Sequence, residues 1–173
     1  MKFALPRHRT PITVPADARR LRSPQRHCMP DITLDWLNSL TGWSGAMKLV
    51  YTAASGDEVA CEFEVAEQHM QPFGLVHGGV HCGVIETITS IGATLHVRAH
   101  GQEAVGLENT TSFIRATRSG KLLAVARPIT RGRTTQLWEA WIRDDQDRLV
   151  AQGRVRLQNV ASSGLRAAPV TRA

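Results

Sequence analysis

Between Glu67 and Glu103 the chain carries one carboxylate, Glu86, and it falls inside the longest helical pattern of the sequence. From Gly78 to about Ala99, the residues Val80, Val84, Ile88, Ile91 and Leu95 recur at three- and four-residue steps. That is the spacing of one helical face. A helix this apolar has to be covered, and the remainder of the chain offers mainly strands to cover it. A turn-like Pro72-Phe73-Gly74 and then His77-Gly78-Gly79 lead into it.

Ahead of that helix, Asp31 to Leu40 suits a short helix with Trp36 and Leu37 on its apolar side. Trp43–Ala54 and Glu58–Val65 read as strands joined by a Gly56-Asp57 turn. In the second of these, Cys-Glu-Phe-Glu-Val alternates with period two, as a half-buried antiparallel strand should. Four further strands fit Ala104–Thr117, Leu122–Thr130, Thr134–Asp144 and Arg148–Asn159, with Asp144-Asp145-Gln146-Asp147 as a polar turn. Helix segregated from antiparallel strands predicts an α+β fold, one sheet wrapped around the long helix.

The formal charge of +6 is concentrated at the ends. Lys2, Arg7, Arg9, Arg19, Arg20, Arg22 and Arg26 face one acid, Asp17, in residues 1–27, and Arg166 and Arg172 lie in the tail. Residues 28–160 carry more acids than bases. The basic extension is rich in proline and has no interleaved aromatics to stack on bases, so no nucleic-acid partner is expected. The chain divides into an extension over 1–30, one domain over 31–160 and a tail over 161–173. No run reaches the roughly eighteen apolar residues of a membrane span, and Met1 to Arg20 lacks the apolar middle of a secretory signal. Cys28, Cys61 and Cys82 follow no paired spacing. A reducing, cytoplasmic setting is the expectation.

The chemistry starts from Glu86 and the glycines. Amides of Gly78 and Gly79 at a helix start, with the helix dipole behind them, can stabilise an oxyanion. Glu86 can attack a carbonyl carbon directly or take a proton from water. An ionised carboxylate on an apolar helix needs hydrogen-bond donors close by. Gly78 and Glu86 are eight residues apart, about 12 Å along a helix axis. A reacting carbonyl has to sit about 3 Å from both activator and nucleophile. If both groups act, two antiparallel helices must face each other, which implies a two-fold dimer with composite sites.

The segments QPFGLVHGG, VGLENTTSFIRATRSGKLLAVARP and RGRTTQLWEAWIRDDQDRLVAQGRVRL, with an acid nine residues after His77, resemble the hotdog-fold acyl-CoA thioesterases. The nearest branch is the phenylacetate-pathway type, with aryl-CoA and dihydroxynaphthoyl-CoA hydrolases, and the resemblance covers about residues 31–160. It implies hydrolysis of an aryl- or medium-chain acyl-CoA to free acid and CoA, with no cofactor beyond the coenzyme A of the substrate. It also implies pairing of dimers into tetramers. Position by position, Gln71 matches a glutamine near the water and thioester, and His77 a histidine that positions groups at the helix turn. Ser90 matches a hydroxyl that holds water or carboxylate. Arg131, Gly132, Arg133 and Thr134 match a loop that meets the nucleotide phosphates, and Ser112 and Arg115 a second contact region.

His81 and Cys82 depart from that pattern, which has small or apolar residues there. His77 and His81 have the i, i+4 spacing of a zinc pair, but no third ligand is in view and no metal is expected. Trp36, Trp43, Phe73 and Trp138 are either core residues or the lining of an acyl pocket. Two other functions fit the same fold. One is a hydratase or dehydratase of acyl thioesters; the other is a non-catalytic acyl-CoA-binding module.

Overall fold

The structure is a computed structural model that describes residues 31–162. The basic extension over 1–30 and the tail from 163 lie outside the described residues. Two short helices, α1 (Leu34–Asn38) and α2 (Gly42–Ala46), come first. Strands β1 (Val50–Ala54) and β2 (Val59–Glu64) follow, then a small hairpin of β3 (Met70–Gln71) and β4 (Leu75–Val76). Helix α3 (Gly78–Val97) leads into β5 (Gln102–Phe113), β6 (Lys121–Arg131), β7 (Thr135–Asp144) and β8 (Leu149–Ala161).

Six strands form one antiparallel sheet in the order β1-β2-β6-β7-β8-β5. Helix α3 packs across it, touching β2, β5, β6, β7 and β8. The core lies between them. Val80, Val84, Ile85 and Ile88 of the helix meet Val59, Phe63, Ala126, Trp138, Ile142 and Leu157 of the sheet, all buried. Trp138 is fully buried, its ring lying where a Cβ at Gly92 would stand and its indole N–H bonded to Gln136 Oε1 at 3.0 Å. Its place is therefore the core. Ile91 and Leu95, expected on the buried face, are only half-buried, while Ile85, Gly92 and Ala93 are inside. The sheet covers a broader arc of the helix than the sequence periodicity suggested.

Two expected strands are shorter in the structure. Trp43–Ala54 reads as one strand, but its first part is α2, and the strand begins at Val50. The Trp43 ring packs against Gly83 of α3, and that docking overrides the local strand preference. The strand expected to reach Thr117 stops at Phe113. Beyond it the N–H groups of Ile114 and Arg115 both point to Val150 O, at 2.8 and 3.0 Å, and the chain turns off the sheet edge. Thr117 O then accepts the Val76 amide at 2.9 Å, tying this turn to the β3–β4 hairpin.

Candidate active site

Helix α3 runs antiparallel to β5. Its start lies beside Phe113 at the end of that strand, because a Cβ at Gly78 would come within 2.9 Å of the Phe113 ring. Its later turns lie beside the beginning of the strand, where Thr94 Oγ1 accepts the Ala104 amide at 3.2 Å. Glu86 falls between, half-buried, over the middle of β5.

Among the described residues the Glu86 carboxylate has two side-chain donors. Asn109 Nδ2 donates to Oε2 at 3.0 Å, and Ser90 Oγ donates to Oε1 at a longer 3.4 Å. Ser90 is one of the residues singled out from sequence; Asn109 is not. The amide of Asn109 is itself fixed: Nδ2 also donates to Cys82 O at 3.1 Å, and Oδ1 accepts from Thr111 Oγ1 at 2.7 Å. An ionised carboxylate is acceptor-only, so donors on both oxygens suit it. Asparagine in a strand gives no sequence signal of this role; its partner is 23 residues away.

At the helix start, His77 is the N-cap, and its Nδ1 accepts the Gly79 amide at 2.8 Å. The pair of free amides expected from Gly78 and Gly79 is therefore reduced to Gly78. Among the described residues the Gly78 N–H has no hydrogen-bond partner, as expected at the first position of a helix. In sequence, a capping histidine and a substrate-facing one look alike. A bare Nδ1 that accepts also means that the ring proton sits on Nε2, so this tautomer cannot accept a proton at Nε2.

Gln71 sits in the β3–β4 hairpin, where its Oε1 accepts the Phe73 amide at 3.1 Å. Its side-chain NH2 is left to point elsewhere. Phe73, at the hairpin tip, is 83% exposed, and Trp43 is also on the surface. Trp36 packs against the edge of the core.

His81 is buried beside Phe113, with ring centroids 6.2 Å apart, and burial pushes its imidazole down to about 4. Cys82 is half-buried and free, with its carbonyl taken by Asn109. Cys61 is a core thiol that burial pushes up to about 12.

The residues expected to meet CoA separate into two places. Arg115 follows β5 beside Val150, near the helix start, with exposed Ser112 close by in sequence. Arg131 ends β6, Gly132 to Thr134 join it to β7, and Asn159 Nδ2 holds that loop through Gly132 O and Arg133 O at 3.0 and 3.1 Å. Val150 and Asn159 lie at opposite ends of β8, about 30 Å apart at the usual rise of a strand. At the end of β6, Arg131 reaches across the surface to the β1–β2 turn: it bonds Gly56 O at 2.7 Å and Asp57 Oδ1 at 2.6 Å and reaches His96 at 3.5 Å. Burial first and then this guanidinium hold His96 below the usual imidazole range. Arg131 thus clamps the β1–β2 turn to the end of α3, whereas Arg115 and Arg133 have no side-chain partner among the described residues.

One long helix wrapped by a six-stranded antiparallel sheet is the hotdog fold of the thioesterases. Residues 73–151 match the model of the Thioesterase superfamily, and the chain belongs to that family. It is 40% identical over 126 residues to a Mycobacterium tuberculosis protein provisionally named an esterase, covering 72% of this chain and 90% of that one. Among solved structures it resembles a thioesterase of Haemophilus influenzae, with a TM-score of 0.71 and 32% identity over 77% of this chain and 94% of the other. A mutant thioesterase of Pseudomonas aeruginosa is similar with a TM-score of 0.70 and 28% identity, covering 76% of this chain and 96% of that one. No helix of the described residues is long and apolar enough to cross a membrane.

Proposed function

We propose that the chain is an acyl-CoA thioesterase that converts an aryl- or medium-chain acyl-CoA and water to the free acid and CoA. The observation that carries this is the Glu86 carboxylate, held by Asn109 and Ser90, on the same helix as the unpaired Gly78 amide. The Gly78 N–H polarises the thioester carbonyl. Glu86 either attacks its carbon, giving an anhydride that water then opens, or takes a proton from the water that attacks. In both routes the C–S bond breaks and the carboxylate is restored. His77 shapes the helix start rather than moving the proton, and the free amide of Gln71 orients water or carbonyl.

The two groups stand about 12 Å apart along α3, so each substrate needs Gly78 of one subunit and Glu86 of another. The edge position of β5 supports such a dimer, since a second copy can pair along its outer side beyond Ala104, whose amide Thr94 takes. The same arrangement accounts for the divided CoA residues: Arg115 with Ser112, and Arg133 with Gly132 and Thr134, meet one substrate when different subunits supply them. A dimer of dimers extends the scheme. Arginine suits phosphate because its fork makes two charge-assisted bonds.

The test is a panel of aryl and aliphatic acyl-CoAs assayed with a thiol reagent, wild type beside Glu86→Ala. Loss of thiol release in the variant is expected; full hydrolysis by it removes Glu86 from the chemistry. Hydration of crotonyl-CoA without CoA release would replace the reading with a hydratase. Acyl-CoA binding with no turnover anywhere on the panel would replace it with a binding module.

A further inference from the structure

Strand β5 changes faces in its middle. Gly106 stands opposite Leu157 and Glu108 opposite Arg156, so Leu107 is an extra residue, a one-residue bulge in the β5–β8 ladder. In an unbroken strand Gly106 and Asn109, three apart, would point to opposite faces. The bulge removes that alternation. Ala104 and Gly106 before it, and Asn109, Thr111 and Phe113 after it, then share the face toward α3. The contacts agree: Ala104 packs on the core, Asn109 bonds Glu86, and Phe113 lies against Gly78.

Both sides of the bulge meet at one side chain. A Cβ on Gly106 would collide with Glu86 Oε1, so only glycine leaves that oxygen its place. Three residues on, Asn109 grips Oε2 at 3.0 Å. The two carboxylate oxygens are therefore held unequally. Oε2 is bonded to an amide that cannot turn without also breaking its bonds to Cys82 O and Thr111. Among the described residues Oε1, over the Gly106 gap, has only the 3.4 Å contact from Ser90, a weak bond by its length.

We propose that Asn109 is the positioning residue of the active carboxylate, and that the bulge and Gly106 form its cradle. Oε2 is the anchored oxygen and Oε1 the one that reacts. This rests on the thioesterase reading of Glu86. Oε1 forms the bond to the carbonyl carbon as the C–S bond breaks and CoA leaves as thiolate, water later cleaving the anhydride and releasing the carboxylate. In the alternative route Oε1 takes a proton from the attacking water and passes it to the departing thiolate. Oε2 stays on Asn109 throughout, and Thr111 acts one step further out by choosing which way the amide faces.

Asn109→Leu keeps the shape and removes the donor. The expected result is a fall in kcat of about tenfold to a hundredfold with KM within about twofold, the pattern of an interaction that matters beyond substrate binding. Thr111→Ala should fall partway, and Thr111→Ser, which restores the hydroxyl, should recover. Wild-type kcat in Asn109→Leu, or an effect confined to thermal stability, overturns the proposal. So does a Thr111→Ser variant no better than Thr111→Ala. A second measurement is independent of turnover and of whether the leucine variant folds: the 15N side-chain amide signal of Asn109 in the wild type and in Glu86→Ala. Protected, well-separated NH2 protons that lose their protection in Glu86→Ala are expected. An unprotected amide in the wild type defeats the cradle. A protected amide in a protein inactive on the whole panel leaves the cradle standing and defeats the thioesterase reading instead.

Discussion

The His77 imidazole accepts the Gly79 amide through Nδ1 at 2.8 Å, an arrangement open only because Gly79 has no Cβ to meet the ring. One histidine thus takes the place of the serine, threonine or aspartate that usually caps a helix. It occupies one of two adjacent amides and leaves the other, that of Gly78, without a partner among the described residues.

A capping role separates cleanly from a proton-transfer role. His77→Ser supplies a cap but no base, and His77→Ala supplies neither. The alanine variant should lose about 1 kcal/mol of stability in urea unfolding, along with part of its activity as the Gly78 amide loses its fixed direction. His77→Ser should keep both within a few fold. A serine variant as inactive as Glu86→Ala would make His77 a catalytic base.

His81 makes the fold sensitive to acid. Its ordinary value is 6.5, and burial pushes it down to about 4 in the folded chain. Between those values the unfolded chain takes up a proton that the folded chain refuses, so stability is full above about pH 6.5 and falls as pH drops toward 4. Below 4 both states are protonated and the loss levels off. The total is on the order of 3 kcal/mol. Denaturant midpoints at pH 7 and pH 4.5 should differ strongly for the wild type and much less for His81→Leu. An equal difference in the two proteins would remove His81 as the source.

The architecture was legible because its signals are periodic. The five-position apolar stripe of α3, the alternation of Cys61 to Val65 and the polar turn at Asp144 to Asp147 each report a local pattern, and each corresponds to an element of the structure. Misreadings fall where a distant contact decides. Trp43 belongs to a helix because of Gly83, forty residues on, and the strand through Ala104 ends early because Val150 takes two amides. In the candidate site the acid and the helix-start glycines stood out by composition. Asn109 did not, since it reaches Glu86 only through a bulge whose register no single strand encodes. Arg131 and Arg133 were indistinguishable in sequence for a related reason: two residues apart, one ends β6 and finds the Gly56-Asp57 turn, and the other sits in the loop and does not.

That difference gives the arginines opposite expectations. Arg131→Ala should lower the thermal midpoint measurably by releasing the β1–β2 turn, although its exposed ion pair with Asp57 alone contributes little. Its KM for acyl-CoA should hardly move. Arg133→Ala should leave the thermal midpoint alone and raise KM several fold, more so for acyl-CoA than for a short acyl thioester without the nucleotide. Equal KM effects on both thioesters would show that this loop does not meet the phosphates.

The separation of Gly78 and Glu86 on one helix supports the strictest test. Gly78→Pro deletes the Gly78 N–H at the first helix position, where proline fits the backbone once the exposed Phe113 ring moves aside for its Cβ, and Glu86→Ala deletes the carboxylate. Either homodimer should be inactive, since every composite site then lacks one partner. In a heterodimer of the two variants, one site collects both defects and the other receives an intact amide and an intact carboxylate. Co-expression with two affinity tags and isolation of the mixed species should therefore restore turnover at one of its two sites. Verified heterodimers with no recovery would mean that each subunit works alone. A single helix would then have to serve one substrate with groups about 12 Å apart, and one of the two would have to leave the mechanism.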